Sequence, residues 1–232
     1  MSYTQYMNET FLNIFRVKEL RNKIFFILGL LVIYRLAANI PLPGVDVLAL
    51  KRLFEENAFL GLLNIFSGGG LSNISIVLLG VAPYITASII MQLLTTLVPS
   101  LERLYKEEGE QGRQKFNMWT RWLTVPLAAL QSFSMLSLLR SQNILGTIST
   151  FNMVVIILSA TAGTIFLMWL GELITEKGLG NGVSVIIFAG IVSSLPTSLS
   201  RFISTWDPSQ IFTYIIFLLL AAVTVAGVIF IN

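Results

Sequence analysis

From Asn57 to Leu101 the chain runs forty-five residues without a charge, between Glu56 and Glu102. A bilayer core about 30 Å thick is crossed by roughly 20 apolar residues of helix. The run is therefore too long for one crossing and too short for two crossings with a turn. It breaks at Ser67-Gly68-Gly69-Gly70, where each glycine costs a helix about 1 kcal/mol against alanine. The division this predicts is a half-helix ending near Phe66, a glycine break, and a full span over about 75–97. Irregular backbone at membrane depth is tolerated only where it is buried in protein or lines a water-filled cavity. The segment is expected to face a cavity or pore.

Composition agrees with a bilayer as solvent. The chain is 55% hydrophobic and 12% charged over 232 residues, with a mean hydropathy of +0.79. Soluble domains carry about 25% charged residues, so this is an integral membrane protein. Six long apolar runs predict helices, because barrel strands would alternate apolar and polar residues over about ten positions. With no Cys, disulfides and thiolate chemistry are excluded. With no His, His-ligated metals, the HExxH zinc motif and any Ser–His dyad are excluded as well.

Residues 1–22 are too polar for a secretory signal and show no small-residue cleavage pattern. Phe11, Ile14, Phe15 and Val17 share a helical face, flanked by Arg16, Lys18, Arg21 and Lys23. Two readings stand: an interfacial helix on an anionic leaflet, or a basic flank to the first span. That span is expected over 24–40 and carries Arg35. Arginine at a helix centre costs about 2.5 to 3.5 kcal/mol on the insertion scale, and the eleven Ile, Leu, Val and Phe residues return roughly 3 to 7. The span should insert, with Arg35 snorkelling to the interface or paired in the bundle. Pro41-Leu42-Pro43-Gly44 then stops the helix, and residues 45–60 are mixed and amphipathic.

After Pro99 comes a polar stretch, 102–121, with Gly109 and Gly112 at its centre. It is expected to be a polar loop whose core, Lys106-Glu107-Glu108-Gly109-Glu110, forms an exposed hairpin tip, since charge runs are usually solvated. Further spans are expected over 122–139, 152–171, 183–199 and 211–231. The last carries fourteen Ile, Leu, Val and Phe residues and stops at Asn232 with no polar tail, which leads us to expect a fragment of a longer chain. Orientation follows the Lys/Arg bias. With the N-terminus inside, residues 16–23, 103–121 and 177 place ten basic residues on the inner face. Only Lys51, Arg52, Arg140 and Arg201 fall outside. Both termini are then cytosolic, and the glycine break lies on the outer side.

Some motifs carry less than they suggest. Gly178-x-Gly180-x-Gly182 sits between two membrane helices, whereas a dinucleotide fingerprint needs a preceding strand and a βαβ unit; it reads as a tight turn. Glu172 and Glu176 suggest a proton or cation site but have no acidic or His partner at depth in the sequence. Ser159, Ala160, Ala162 and Gly163, and Ser184, Ala189, Gly190 and Ser193, read as helix-packing surfaces. The second span is markedly polar, with Ser75, Tyr84, Thr86, Ser88, Gln92, Thr95 and Thr96, and the third has Gln131, Ser132 and Ser134. Such residues usually face a bundle interior or cavity. Val81 and Ile85 lie one turn apart, as do Ile187 and Ile191; alone, such pairs are only core or lipid-facing aliphatics.

Four motifs, in order and correctly spaced, carry a resemblance. They are Ile-Pro-Leu-Pro-Gly at 40–44, Phe-Ser-Gly-Gly-Gly-Leu-Ser at 66–72, Pro-Tyr-Ile-Thr-Ala-Ser-Ile-Ile-Met-Gln-Leu-Leu at 83–94, and Phe-Leu-Met-Trp-Leu-Gly-Glu-x-Ile-Thr-Glu-Lys-Gly-x-Gly-Asn-Gly-x-Ser at 166–184. The sequence closely resembles the bacterial SecY family, whose members form the centre of the Sec protein-conducting channel. The family has ten spans in two inverted halves of five, and this chain would supply the first half plus span six.

The resemblance implies an all-α polytopic bundle: an interfacial segment (1–22), a five-span half-channel (23–200) with a broken second segment, and an outer loop with a sixth span (201–232). It implies a plug at Leu62, Leu63, Asn64, Ile65, Phe66, Ser67, Gly68, Gly69, Gly70 and Leu71. It places the aliphatic pore ring on Val81, Ile85, Ile187 and Ile191, and one wall of a lateral gate on Thr86, Ser88, Gln92 and Gln131. Arg103, Lys106, Arg113, Lys115 and Arg121 would contact a cytosolic partner. The partners implied are small membrane subunits of the SecE and SecG type, the SecA motor or the ribosome, signal peptides and nascent chains, and anionic lipid; no cofactor is implied. The setting is a bacterial inner membrane, or secondarily a thylakoid. The activity implied is passage of unfolded polypeptide and lateral release of apolar segments, without catalysis. The rival class is a secondary transporter, which also uses broken helices near the midplane, although Ser67 to Leu71 offers no charge. An intramembrane hydrolase ranks third, lacking His and an acidic pair at depth.

Overall fold

The computed structural model describes residues 17–42, 75–141, 149–177, 180–204 and 208–231. Among them the regular structure is helical: α1 (Lys18–Ala38), α2 (Ala82–Leu97), α3 (Pro99–Lys106), α4 (Gly109–Ser141), α5 (Thr150–Glu176), α6 (Gly182–Ser204) and α7 (Ile211–Ile231), with a 3-10 turn at Pro208–Gln210. One isolated antiparallel bridge joins Pro41 to Ser75. The chain forms two compact units, Met1–Ser194 and Leu195–Asn232. The Gly68–Gly70 break and the expected plug at 62–71 lie outside the described residues.

Three described helices are long and apolar enough to cross a membrane: α4, α5 and Ile211–Phe230 of α7. The pair α2 and α3, bent by 109°, makes a fourth if taken as one broken span. Six spans were expected, and local sequence accounts for the difference. α1 carries Glu19 and Arg35 besides its basic start, α2 has only 16 residues, and the apolar part of α6 is the short Gly182–Pro196.

The second span does not begin as helix at residue 75. Residues 76–81 form successive turns, with Leu78 N–H donating to Ser75 O at 2.9 Å and Gly80 N–H to Val77 O at 2.8 Å. Gly80 takes a positive φ of 57°, a conformation open to glycine without steric cost. Pro83 then sits in the first turn of α2, where its missing N–H is no loss. At the other end Pro99 disfavours helix for the residue before it. Val98 is accordingly extended (φ −116°, ψ 105°), and α3 starts in a new direction.

Residues 102–121 are not a loop, contrary to expectation. They form most of α3, an exposed turn at Glu107 and Glu108 where the hairpin tip was expected, and the first turns of α4. The charges that suggested a solvated loop are spaced to support helix: Lys106 Nζ meets Glu102 Oε1 at 2.8 Å, four residues apart. The same stretch has an apolar side, on which Leu104 and Phe116 are buried with Met91 of α2. A Cβ at Gly112 would lie 1.9 Å from Leu104 O, so only glycine lets α4 approach the α3 backbone this closely.

The core of the first unit gathers Ile27, Leu30 and Tyr34 of α1, Val77 and Val81 before α2, Leu167, Leu170 and Ile174 of α5, and Val183 and Ile186 of α6. Gly163 of α5 faces the turn at residues 76–77, where a Cβ would come within 1.8 Å of Ile76 O. Gly163 and Ala160, expected on a packing surface, are buried, whereas Ala162 is exposed. α4 and α5 run as antiparallel neighbours, tied by Arg121 and Glu172.

Candidate functional site

α2, α4, α5 and the start of α6 line a partly open cavity of about 890 Å³, with Tyr105 of α3 on its wall. Its lining is mixed. Ser88 and Gln92 come from α2, Gln114, Asn117, Thr120 and Arg121 from α4, and Glu172 and Glu176 from α5. Ile85, Ile89, Val183 and Ile187 supply aliphatic surface.

The helix turn between α5 and α6 is built from side-chain bonds. Thr175 Oγ1 donates to Gly171 O at 2.9 Å and accepts from Gly182 N–H at 2.9 Å. Asn181 Oδ1 accepts from Val183 N–H at 3.0 Å and Ser184 N–H at 3.3 Å, capping the N–H groups that the first turn of a helix leaves unpaired. Gly180 takes φ 89°. These bonds aim the first turns of α6, and with them Ile187, toward the cavity shared with α2.

The residues expected in a pore ring are placed unequally. Ile85 and Ile187 line this cavity together from α2 and α6 and also pack against the core. Val81 lies in the core at the α2 N-cap, 4% exposed. Ile191, one turn beyond Ile187, is 36% exposed and does not line the cavity. Of the residues expected in a lateral gate, Ser88 and Gln92 face the cavity, as does Tyr84 one turn before Ser88. Thr86 Oγ1 donates to Ala82 O at 3.0 Å, and Gln131 is half-buried on α4.

The five basic residues expected to meet a partner divide into two groups. Arg103, Lys106, Arg113 and Lys115 are exposed around the α3–α4 turn, Lys106 and Lys115 in ion pairs with Glu102 and Glu108. Arg121 instead lines the cavity and meets Glu172, with Nε 2.6 Å from Oε1. The Glu172 side chain is only 20% exposed, so its charge is partly withdrawn from water. Sequence reading left Glu172 without a partner, because the two residues are 51 positions apart. The available signal was opposite charge at corresponding ends of consecutive antiparallel spans. Among the described residues, no group of three His, Cys, Asp or Glu could hold a metal ion.

A bundle of apolar helices around a part-polar, part-aliphatic cavity, with a span bent sharply at a proline, makes this chain an all-α integral membrane protein. Similarity narrows the class. A family model described as SecY matches residues 75–232. The protein translocase subunit SecY of Corynebacterium glutamicum is 44% identical over 196 residues, covering 79% of this chain and 44% of the relative. That of Synechocystis sp. is 40% identical over 229 residues, covering 97% and 51%. A solved structure titled as that of a protein conducting channel matches with a TM-score of 0.53 at 18% identity, covering 85% of this chain and 41% of that one; this likeness concerns the fold. The chain belongs to the SecY family. It spans about half the length of these curated relatives.

Proposed function

We propose that this chain supplies the N-terminal half of a Sec-type channel that passes unfolded polypeptide across a membrane and releases apolar segments sideways into lipid. The observation that carries the reading is the shared cavity. Ile85 and Ile187, from helices far apart in sequence, meet a wall of amides, hydroxyls and one ion pair. Aliphatic constrictions gate by dewetting and yield to a passing chain without binding any one sequence. In this reading Val81 and Ile191 complete the near half of the ring, and residues 62–71 close the outer funnel. Thr86, Ser88, Gln92 and Gln131 form one wall of the lateral gate. The half-channel comprises 23–200, preceded by an interfacial segment and followed by the sixth span. The chain performs no covalent chemistry; energy comes from a motor of the SecA type or a ribosome. Small subunits of the SecE and SecG type brace the bundle. Arg103, Lys106, Arg113 and Lys115 offer cations to ribosomal RNA phosphates or anionic lipid.

The relatives' names support this reading, since they are called protein translocase subunits. Reconstitution of the full-length protein with such partners in vesicles tests it. Passage of an unfolded polypeptide without uptake of small solutes is expected. Saturable small-solute uptake without polypeptide passage would establish the transporter class instead. Reversing two charges, Arg113→Glu with Lys115→Glu, should weaken partner docking at moderate salt while insertion is unaffected.

In this reading the chain sits in a bacterial inner membrane, and the bias of basic residues supports an N-terminus in the cytosol. The absence of native cysteine allows a direct test with single substitutions. Cysteine replacing the exposed Lys106 or Lys177 should react with an impermeant label only from the cytosolic side. Cysteine replacing the exposed Ser141 or Ser149 should react only from the outside, and exchanged accessibility would reverse the topology.

A further inference from the structure

α4 is one helix of 33 residues with a proline, Pro126, in its interior. An interior proline has no N–H for the carbonyl four residues back, here that of Trp122, and its ring crowds that carbonyl. Pro126 lies on the exposed face, opposite the buried stripe of Thr124, Ala128 and Ser132. Crowding on the exposed face opens the helix there, so any bend swings the arms toward the packed stripe. The stripe beside the proline consists of small, fully buried side chains.

Both arms bury side chains, Leu136 and Leu139 of the second among them, and they differ in their specific contacts. The arm before Pro126 is fixed by three independent contacts: Gly112 against the Leu104 carbonyl, the Phe116 ring 4.8 Å from that of Tyr105, and the Arg121–Glu172 ion pair. The arm after it contains Ser132, fully buried, whose Oγ has no hydrogen-bond partner. A buried polar group without a partner is costly, and a second arrangement of this arm would relieve it.

We propose that Pro126 is a hinge in α4, about which the arm Leu127–Ser141, carrying Gln131, swings while the arm Gly109–Val125 stays fixed to α3 and α5. That the swing belongs to a lateral gate rests on the channel reading above; the hinge itself does not. Spin-label pairs in the full-length protein in lipid nanodiscs test it. The pair Leu138→Cys with Leu158→Cys reports the mobile arm against α5, and Met118→Cys with Lys177→Cys reports the fixed arm. All four positions are exposed, on a background free of cysteine. The mobile-arm pair should show a broad distance distribution that becomes single and narrow with Pro126→Ala, and equally with Pro126→Leu. The fixed-arm pair should be narrow throughout. An unchanged mobile-arm distribution would overturn the hinge, and so would equal narrowing of both pairs. Failure of the channel reading would show separately, as absence of polypeptide passage by the unsubstituted protein.

Discussion

In the full-length channel, Ile85→Asn together with Ile187→Asn will raise resting ion conductance in planar bilayers by at least about tenfold. The two side chains face one cavity from α2 and α6, and a gap lined by aliphatic groups excludes ions because it stabilises neither water nor charge. Each amide supplies hydrogen bonds worth roughly 1 to 3 kcal/mol to otherwise unpaired polar groups. About 1.4 kcal/mol suffices for a factor of ten in rate. Deleting 62–70 should add to the leak, since two barriers in series fail more completely together. If the two isoleucines serve only as packing, the doubly substituted protein will lose stability and remain tight. A folded, tight channel with asparagine at both positions would remove them from the pore.

Valine at position 163 will prevent the first unit from assembling. Its Cβ would overlap the Ile76 carbonyl oxygen at 1.8 Å, and that oxygen belongs to backbone, which cannot rotate aside as a side chain can. Overpacking of this kind typically costs 1 to 3 kcal/mol and occasionally more; here, with backbone on both sides, about 3 kcal/mol or more is expected. The turn at 76–81 would be displaced together with Val77 and Leu78, both fully buried. Gly29 of α1 is the internal control. A Cβ there meets nothing within 4 Å, so Gly29→Ala should leave stability unchanged or raise it by up to about 1 kcal/mol. Denaturant titration in detergent, followed by circular dichroism, compares the two. Equal tolerance at 163 and 29 would show that the turn does not pack on α5 as described.

The apolar runs revealed the helices because a bilayer crossing needs length and little charge, both visible in sequence. α7 begins and ends where its apolar run does. In the stretch 102–121 the charges mark the exposed turn at Glu107 and Glu108 but conceal the helices on either side of it. Its four-residue spacing of Glu102 and Lys106 and its buried side through Leu104 and Phe116 point to helix instead. The start of α2 was also misplaced, although Gly80 and Pro83 marked it. Less of the site was legible. Ile85 and Ile187 are joined in one cavity by tertiary packing, and only resemblance to a family paired them beforehand. The Arg121–Glu172 contact likewise depends on how α4 meets α5. The polar character of α2 did point to a cavity, and Ser88 and Gln92 line it.

The small bridge between Pro41 and Ser75, reinforced by Ile76 N–H donating to Ile40 O at 3.1 Å, has a consequence for how this protein can vary. The bridge fixes Pro41 beside Ser75, so two distant points of the chain are pinned together whatever the length of sequence between them. The free energy of pinning two such points depends only weakly on that length, each doubling adding about 0.6 kcal/mol. Insertions or deletions between them that spare the plug proposed at 62–71 should therefore change little of what holds the helices together. Ile40, Pro41, Ser75 and Ile76 act as a clasp, and the clasp tolerates changes of length that a continuous helix would not.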